Sequence, residues 1–294
     1  MSDQAQSLRE KVKKTGDNHQ NASDMPRPPT KIISISSGKG GVGKSFLTVN
    51  LALALQQLGN KVLVVDADFG LANIDIMLGM PARYNLSHLI SREHTMEEIV
   101  QEWQYGIKFI SGGSGLSELL QMSDGQVDEM LEDLFLLSEP LDIILCDTGA
   151  GVNEAALRMI TASTEVIIVT TPEPTAILDA YALLKTLSQN ECPAQAKLIM
   201  NKSESQKEAE NATKSFLGIS KKYLNLRIEP LGSILYDDEV ARSIKQQVPL
   251  LLSQPKSNTA KKIINIAATL ADLPTKSTPG SQLSKLFSFW LKNE

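Results

Sequence analysis

Residues 37–45 read SGKGGVGKS. Gly38, Gly43, Lys44 and Ser45 stand at the spacing of a phosphate-binding loop, with four residues between the outer glycines and Lys-Ser after the second. Gly38, Gly40, Gly41 and Gly43 allow backbone conformations that turn successive N–H groups, including that of Val42, toward an anion. A helix starting near Ser45 adds partial positive charge at its N-terminus. In that chemistry Lys44 reaches the β- and γ-phosphates of a nucleotide, and the Ser45 hydroxyl is a ligand for Mg2+. One lysine is enough for the task, yet this loop carries another, Lys39.

Three carboxylates can join the loop. Asp66 and Asp68 close the apolar run KVLVVDAD, and Asp147 closes LDIILCD. If both runs are strands of a parallel sheet, their C-terminal ends open on the ligand crevice. Asp66 and Asp147 are then candidates for the Mg2+ shell, and Gly149 and Gly151 allow the segment after Asp147 to respond to a γ-phosphate. A single strand-end aspartate is often only a turn or helix cap. Three that converge on one phosphate loop favour chemistry.

Positioning these groups needs strands and helices in alternation, and the chain supplies them. Strands are expected over 31–36, 61–66, 106–110, 141–147, 165–171, 196–201 and 227–234. Helical patterns cover 45–58, 126–137, 152–162, 176–188, 205–216, 238–246 and 257–271. Several strands are unbroken apolar runs, the signature of burial on both faces. The expected fold is α/β, a mostly parallel sheet with helices on both faces. One domain over 31–272 is flanked by a leader, 1–30, with a short helix over 3–14 and a polar linker, and by a linker and tail, 273–294.

Composition removes other classes. With 294 residues, 42% of them hydrophobic, the chain can form one large α/β domain. A net charge of −5 offers no general attraction for nucleic acid, so no direct DNA binding is expected. Cys146 and Cys192 are far apart and form no CxxC, which leaves no cluster ligands within one chain and fits a reducing cytoplasm. No run of about 18 apolar residues suggests a membrane span, and the polar N-terminus is unlike a secretory signal.

KGGVGKS, DADFGLANID and DTGAG together resemble the deviant-Walker ATPases, the group of MinD, ParA and the nitrogenase iron protein, over residues 31–271. The resemblance implies a P-loop NTPase of the MinD type, with ATP and Mg2+ as ligands and a homodimer that sandwiches ATP. Lys39 is then the signature lysine that crosses to the partner subunit's phosphates, and Asp68 orients or activates the attacking water. It also implies a base contact at Asn201, in LIMNKSE, where guanine-binding relatives carry NKxD. Glu204 stands at the position of that final aspartate, which argues against a guanine clamp. LGSILYDDEV resembles the segment on the other side of the base, with Asp237 as the candidate.

The two ends narrow the resemblance. DQAQSLR, residues 3–9, matches the DQAxxLR leader of the MinD-like regulators of flagellar number, the FlhG (FleN or YlxH) family. In that family the leader stimulates the GTPase FlhF, so Asp3, Gln4, Ala5, Leu8 and Arg9 are the expected contacts, with Gln4 near the attacking water and Arg9 on an acidic group. The tail SQLSKLFSFWLKNE places Leu283, Leu286, Phe287, Trp290 and Leu291 on one helical face. Such a face suits a membrane interface, and two copies in a dimer reinforce each other. Packing on its own domain is the alternative. The family implies further partners, the switch proteins FliM and FliN and in some lineages a flagellar transcription activator. It also implies a cytoplasmic protein, peripheral at the inner face of the cell membrane as the ATP-bound dimer. A MinD- or ParA-type positioning ATPase for cell division or chromosome and plasmid partition stands as the alternative function.

Overall fold

The computed structural model describes residues 30–68, 73–113, 133, 137 and 141–272. The leader contacts at 3–9, the tail face at 283–291 and nearly all of the helix expected at 126–137 lie outside these residues. The strands are β1 (Lys31–Ser37), β2 (Val62–Ala67), β3 (Gln101–Trp103), β4 (Ile107–Ile110), β5 (Ile143–Ala150), β6 (Glu165–Thr170), β7 (Gln195–Ser203) and β8 (Glu229–Leu235). They form one sheet in the order β3-β4-β2-β5-β1-β6-β7-β8. Every pairing is parallel except β3 with β4.

The long helices are α1 (Lys44–Gln57), α5 (Glu154–Ala162), α6 (Pro174–Gln189), α7 (Gln206–Leu224), α8 (Asp238–Gln246) and α10 (Asn258–Leu270). Short turns α2 (Ile74–Leu78), α3 (Leu86–Ile90), α4 (Met96–Ile99) and α9 (Leu250–Ser253) complete the set. Strand residues alternate between the two faces as a doubly covered sheet requires. Ile167 and Val169 join the core under α1 and α10, while Val166 and Ile168 join the core under α6 and α7. Helix α1 is buried without a break from Phe46 to Leu55, apolar nearly all round because sheet and helices enclose it. Its one buried amide, Asn50, is satisfied: it donates to the Phe46 carbonyl and accepts from the Leu251 N–H.

Two elements differ from expectation. The antiparallel edge strand β3 is three residues long with only Trp103 buried, too short to show an alternation. Trp103 is anchored through its indole N–H, which donates to the Leu78 carbonyl at 2.9 Å. Helix α7 continues past Phe216 and Gly218 to Leu224, where Asn225 turns left-handed at φ 52° and ends it. An interior glycine weakens a helix without ending it, and Phe216 and Ser220 remain buried on the sheet side.

The central position of β1, between β5 and β6, puts the loop after Ser37 where the sheet changes winding direction. Ligand crevices of open α/β sheets lie at that point, beyond the strand C-termini. At the opposite end, the Lys31 ammonium donates to the Leu270 carbonyl and to Asp272, both at 2.9 Å, tying the start of β1 to the end of α10.

Candidate functional site

The loop from Ser37 to Lys44 is shaped by neighbours far away in sequence. A Cβ on Gly38 would stand 2.0 Å from the backbone of Asp179 in α6, so only glycine fits there. Gly41 and Gly43 take φ of 76° and 99°, conformations that other residues resist. Gly40 differs from the expectation placed on it. It is exposed, its φ is not in the left-handed region, and a Cβ there would meet only the Ala150 side chain, at 4.0 Å. Neither backbone conformation nor crowding within this chain requires glycine at that position, so any part Gly40 takes in the cradle is through its backbone N–H.

From the far side, Asn201 donates its side-chain N–H to the Val42 carbonyl, and Lys202 donates to the Gly41 carbonyl, each at 2.7 Å. Two carbonyls are thereby held outward, which leaves the loop amides to face the crevice. Helix α1 carries no acidic residue in its first turn, so nothing competes with an anion at its N-terminus.

Lys44 is buried, and its charge acts on Asp147. Asp147 is fully buried at the end of β5. It accepts hydrogen bonds from the Ser45 hydroxyl and from Thr48, the latter at 3.3 Å, one helical turn after Lys44. Burial pushes its carboxyl up to about 6, with the Asp68 charge adding to the rise and Ser45 and Lys44 opposing it. Its Oδ2 atom is buried with no hydrogen-bond partner. A hydroxyl bonded to a carboxylate that keeps one buried oxygen in reserve is a donor set suited to a hard divalent cation. Ser45 and Asp147 therefore fit Mg2+, whose charge would offset that of the nucleotide phosphates.

Asp66 stands beside Asp147, its register partner on the neighbouring strand, but the structure uses it differently from the metal role expected of it. Its Oδ1 accepts from the Asp68 N–H at 3.1 Å, and its Oδ2 accepts from Asn73 at 2.8 Å and Ile74 at 3.0 Å. Both oxygens are engaged by the segment that carries Asp68. Burial and the Asp147 charge push its carboxyl up to about 7, against the pull of those three amides. Asp66 organises the strand end, and Asp68 projects from it toward Gly149.

Three further expectations change in detail. Lys39 does not lie on its own phosphate cradle: its ammonium is 2.9 Å from Glu173 Oε2 and 3.1 Å from Thr175 Oγ1 at the start of α6. Asn201 is buried and braces the loop, in addition to any contact with a base. Asp237 is committed to structure: it caps α8 by accepting from the Glu239 N–H and accepts from Thr259 Oγ1 at 2.7 Å, so its carboxylate has no free face for a base. The residues that sequence reasoning left without a role are Glu173, Thr175, Lys202 and Thr48. Only Thr48 had a local signal, four residues after Lys44 on the same helical side.

The ParA family model, described as NUBPL iron-transfer P-loop NTPase, matches residues 29–271. The antiactivator FleN of Pseudomonas aeruginosa is 29% identical over 255 residues, 87% of this chain and 91% of that protein. The flagellum site-determining protein YlxH of Helicobacter pylori is 37% identical over 243 residues, 82% of each chain. The septum site-determining protein MinD complexed with Mg-ADP, from Pyrococcus horikoshii, has the same fold with a TM-score of 0.68 at 26% identity, over 82% of this chain and 96% of that one.

Proposed function

The chain belongs to the ParA/MinD family of P-loop ATPases, in the branch that holds FleN and YlxH, and from that premise we propose that it is an ATP-dependent dimerising switch controlling flagellar number and placement. The observation that carries the switch reading is the separation of the two loop lysines. Lys44 is buried against the Asp147 side of the cradle, while Lys39 is 41% exposed at its side chain and points out over α6. A lysine held outside its own phosphate site is available to a second subunit. There it supplies positive charge to a phosphoryl-transfer transition state, a task that related hydrolases give to a residue from a partner.

In this reading Lys44 and the loop amides bind ATP, Ser45 and Asp147 hold Mg2+, and Asp68 orients the attacking water. Asn201 borders the base. Hydrolysis separates the subunits and resets the switch. The leader, 1–30, engages FlhF through Asp3 to Arg9. The tail, 273–294, brings the dimer to the cytoplasmic face of the membrane, and FliM and FliN are the expected flagellar partners. The leader is what separates this role from a cell-division or partition ATPase of the same fold. Iron transfer, the printed description of the matching family model, needs cysteine ligands that this sequence does not pair: Cys146 is buried inside β5, and Cys192 lies in another core.

The test is the molecular mass of the purified full chain in solution with ADP, with ATP, and with ATP in Asp68→Ala. The expected result is a monomer with ADP and a stable dimer for Asp68→Ala with ATP. A monomer under all three conditions, with ATP bound, excludes the switch.

A further inference from the structure

Asp68 is not alone over Gly149. A Cβ built on Gly149 would stand 3.4 Å from Asp68 Oδ1 and 3.5 Å from Asn153 Nδ2, so a carboxylate and a carboxamide approach one point from two sides. Gly149 lies two residues after Asp147, in the segment between the metal-site carboxylate and α5. Asn153 is the N-cap of α5, and its Oδ1 accepts from the Ala156 N–H at 2.8 Å. That bond fixes which way the amide faces. With the oxygen spent on the helix, the nitrogen is the end presented to Asp68. The cap is thus also a device for aiming an N–H donor.

We propose that Asn153 shares with Asp68 the hold on the attacking water, over the space that Gly149 leaves open. The carboxylate accepts a proton of the water and the carboxamide donates to its oxygen. One lone pair is then directed at the γ-phosphorus. As the new P–O bond forms, the bond from phosphorus to the bridging oxygen breaks, ADP and inorganic phosphate leave, and the water proton is lost to solvent through Asp68. A two-point hold restricts the water in a way that Asp68 alone does not, and this positioning lowers the barrier. Gly149 has a further meaning here. Its φ is not in the left-handed region, and a methyl group would meet Asp68 and Asn153 only at ordinary van der Waals distance. Space for a water, and not backbone strain, is what glycine provides at this position.

The inference rests on the assignment of Asp68 to the attacking water, and the variants separate the two. Asn153→Ser and Asn153→Asp keep an N-cap acceptor and lose the N–H donor. Both are expected to melt within a few degrees of the parent, to bind ATP with a Kd within about threefold, and to lose kcat by roughly 10- to 100-fold. Gly149→Ala is expected to fold and bind ATP, and to lose hydrolysis by a similar factor because its methyl occupies the water position. Parental kcat in both Asn153 variants, or in Gly149→Ala, overturns the proposal and leaves Asn153 a helix cap. Parental kcat in Asp68→Ala removes the Asp68 assignment itself and the proposal with it, a distinct result. Single-turnover measurement with saturating ATP separates the chemical step from dimer assembly.

Discussion

The Lys39 ammonium lies 2.9 Å from Glu173 Oε2, an ion pair that joins the phosphate loop to the first turn of α6 across 134 residues of sequence. The lysine expected to reach a second subunit is therefore occupied within its own. Before it can cross an interface it must leave Glu173 and Thr175, or carry them into the interface with it. Glu173 is mostly exposed, and exposed pairs contribute at most about 1 kcal/mol.

Replacing Glu173 removes the competing contact. Glu173→Ala is expected to leave ATP affinity unchanged, because the pair touches no phosphate-binding atom. It should tighten the ATP-dependent dimer by up to about fivefold, the equivalent of that 1 kcal/mol. Sedimentation across a range of protein concentrations measures this. A weaker dimer in the variant would show that Glu173 serves the interface and does not restrain Lys39.

Asn201 gives a sharper test because its two possible roles predict different selectivity. As a loop brace it acts on every nucleotide alike, and as a base contact it distinguishes adenine from guanine. Asn201→Ala leaves the Val42 carbonyl without its donor, at a penalty of about 1–3 kcal/mol. The affinities for ATP and for the bare triphosphate should then fall together, by roughly 5- to 100-fold. Loss of ATP binding with triphosphate binding preserved would return Asn201 to the base alone.

These relationships mark where the sequence stops being readable. The phosphate loop is legible because its spacing is local and its chemistry needs particular residue types. The parallel sheet is legible because strands covered on both faces must be apolar throughout, as β2 and β6 are. The contacts that tune the site are not local. Gly38 is dictated by the backbone of Asp179, Lys39 is held by Glu173, and Gly43 leaves room for Asn201, whereas Gly40 answers to no such neighbour. Asp66 and Asp237 looked like ligands because they are acidic and end strands. The structure engages both with backbone amides, which is the common use of such residues.

The paired carboxyls make stability depend on pH. Their folded-state values, about 7 for Asp66 and about 6 for Asp147, lie above the unfolded range of about 4. A raised value means that the fold favours the protonated form. The contribution is complete below about pH 4 and is lost as pH rises through about 6 for Asp147 and about 7 for Asp66. The nucleotide-free protein should therefore lose thermal stability from this pair between about pH 5 and about pH 8. Mg2+ with nucleotide favours the ionised Asp147, so its stabilising effect should be greater at the higher pH, and binding near pH 6 should release protons. Melting curves at several pH values, with and without Mg-ADP, and calorimetry in buffers of different ionisation enthalpy measure both effects. In Asp66→Asn the slope attributable to Asp66 should vanish; an unchanged slope places the titration elsewhere.

The last prediction concerns the segments beyond the domain. Lys31 bonds to the Leu270 carbonyl and to Asp272, so the domain is closed by its own contacts before residue 273. Removing residues 281–294 should then leave the melting temperature and ATP affinity of the core unchanged. It should abolish ATP-dependent flotation with vesicles, because the apolar face of Leu283, Leu286, Phe287, Trp290 and Leu291 is gone. One short helix with few basic residues binds weakly, and two in a dimer bind by avidity. Flotation of the full chain should therefore be strongest for Asp68→Ala with ATP and weakest with ADP. Equal flotation of the truncated protein would make the tail a helix that packs on its own domain. In the same preparations Gln4→Ala should retain both ATP hydrolysis and flotation while reducing stimulation of FlhF. If stimulation persists in that variant, Gln4 does not position the water of the partner GTPase.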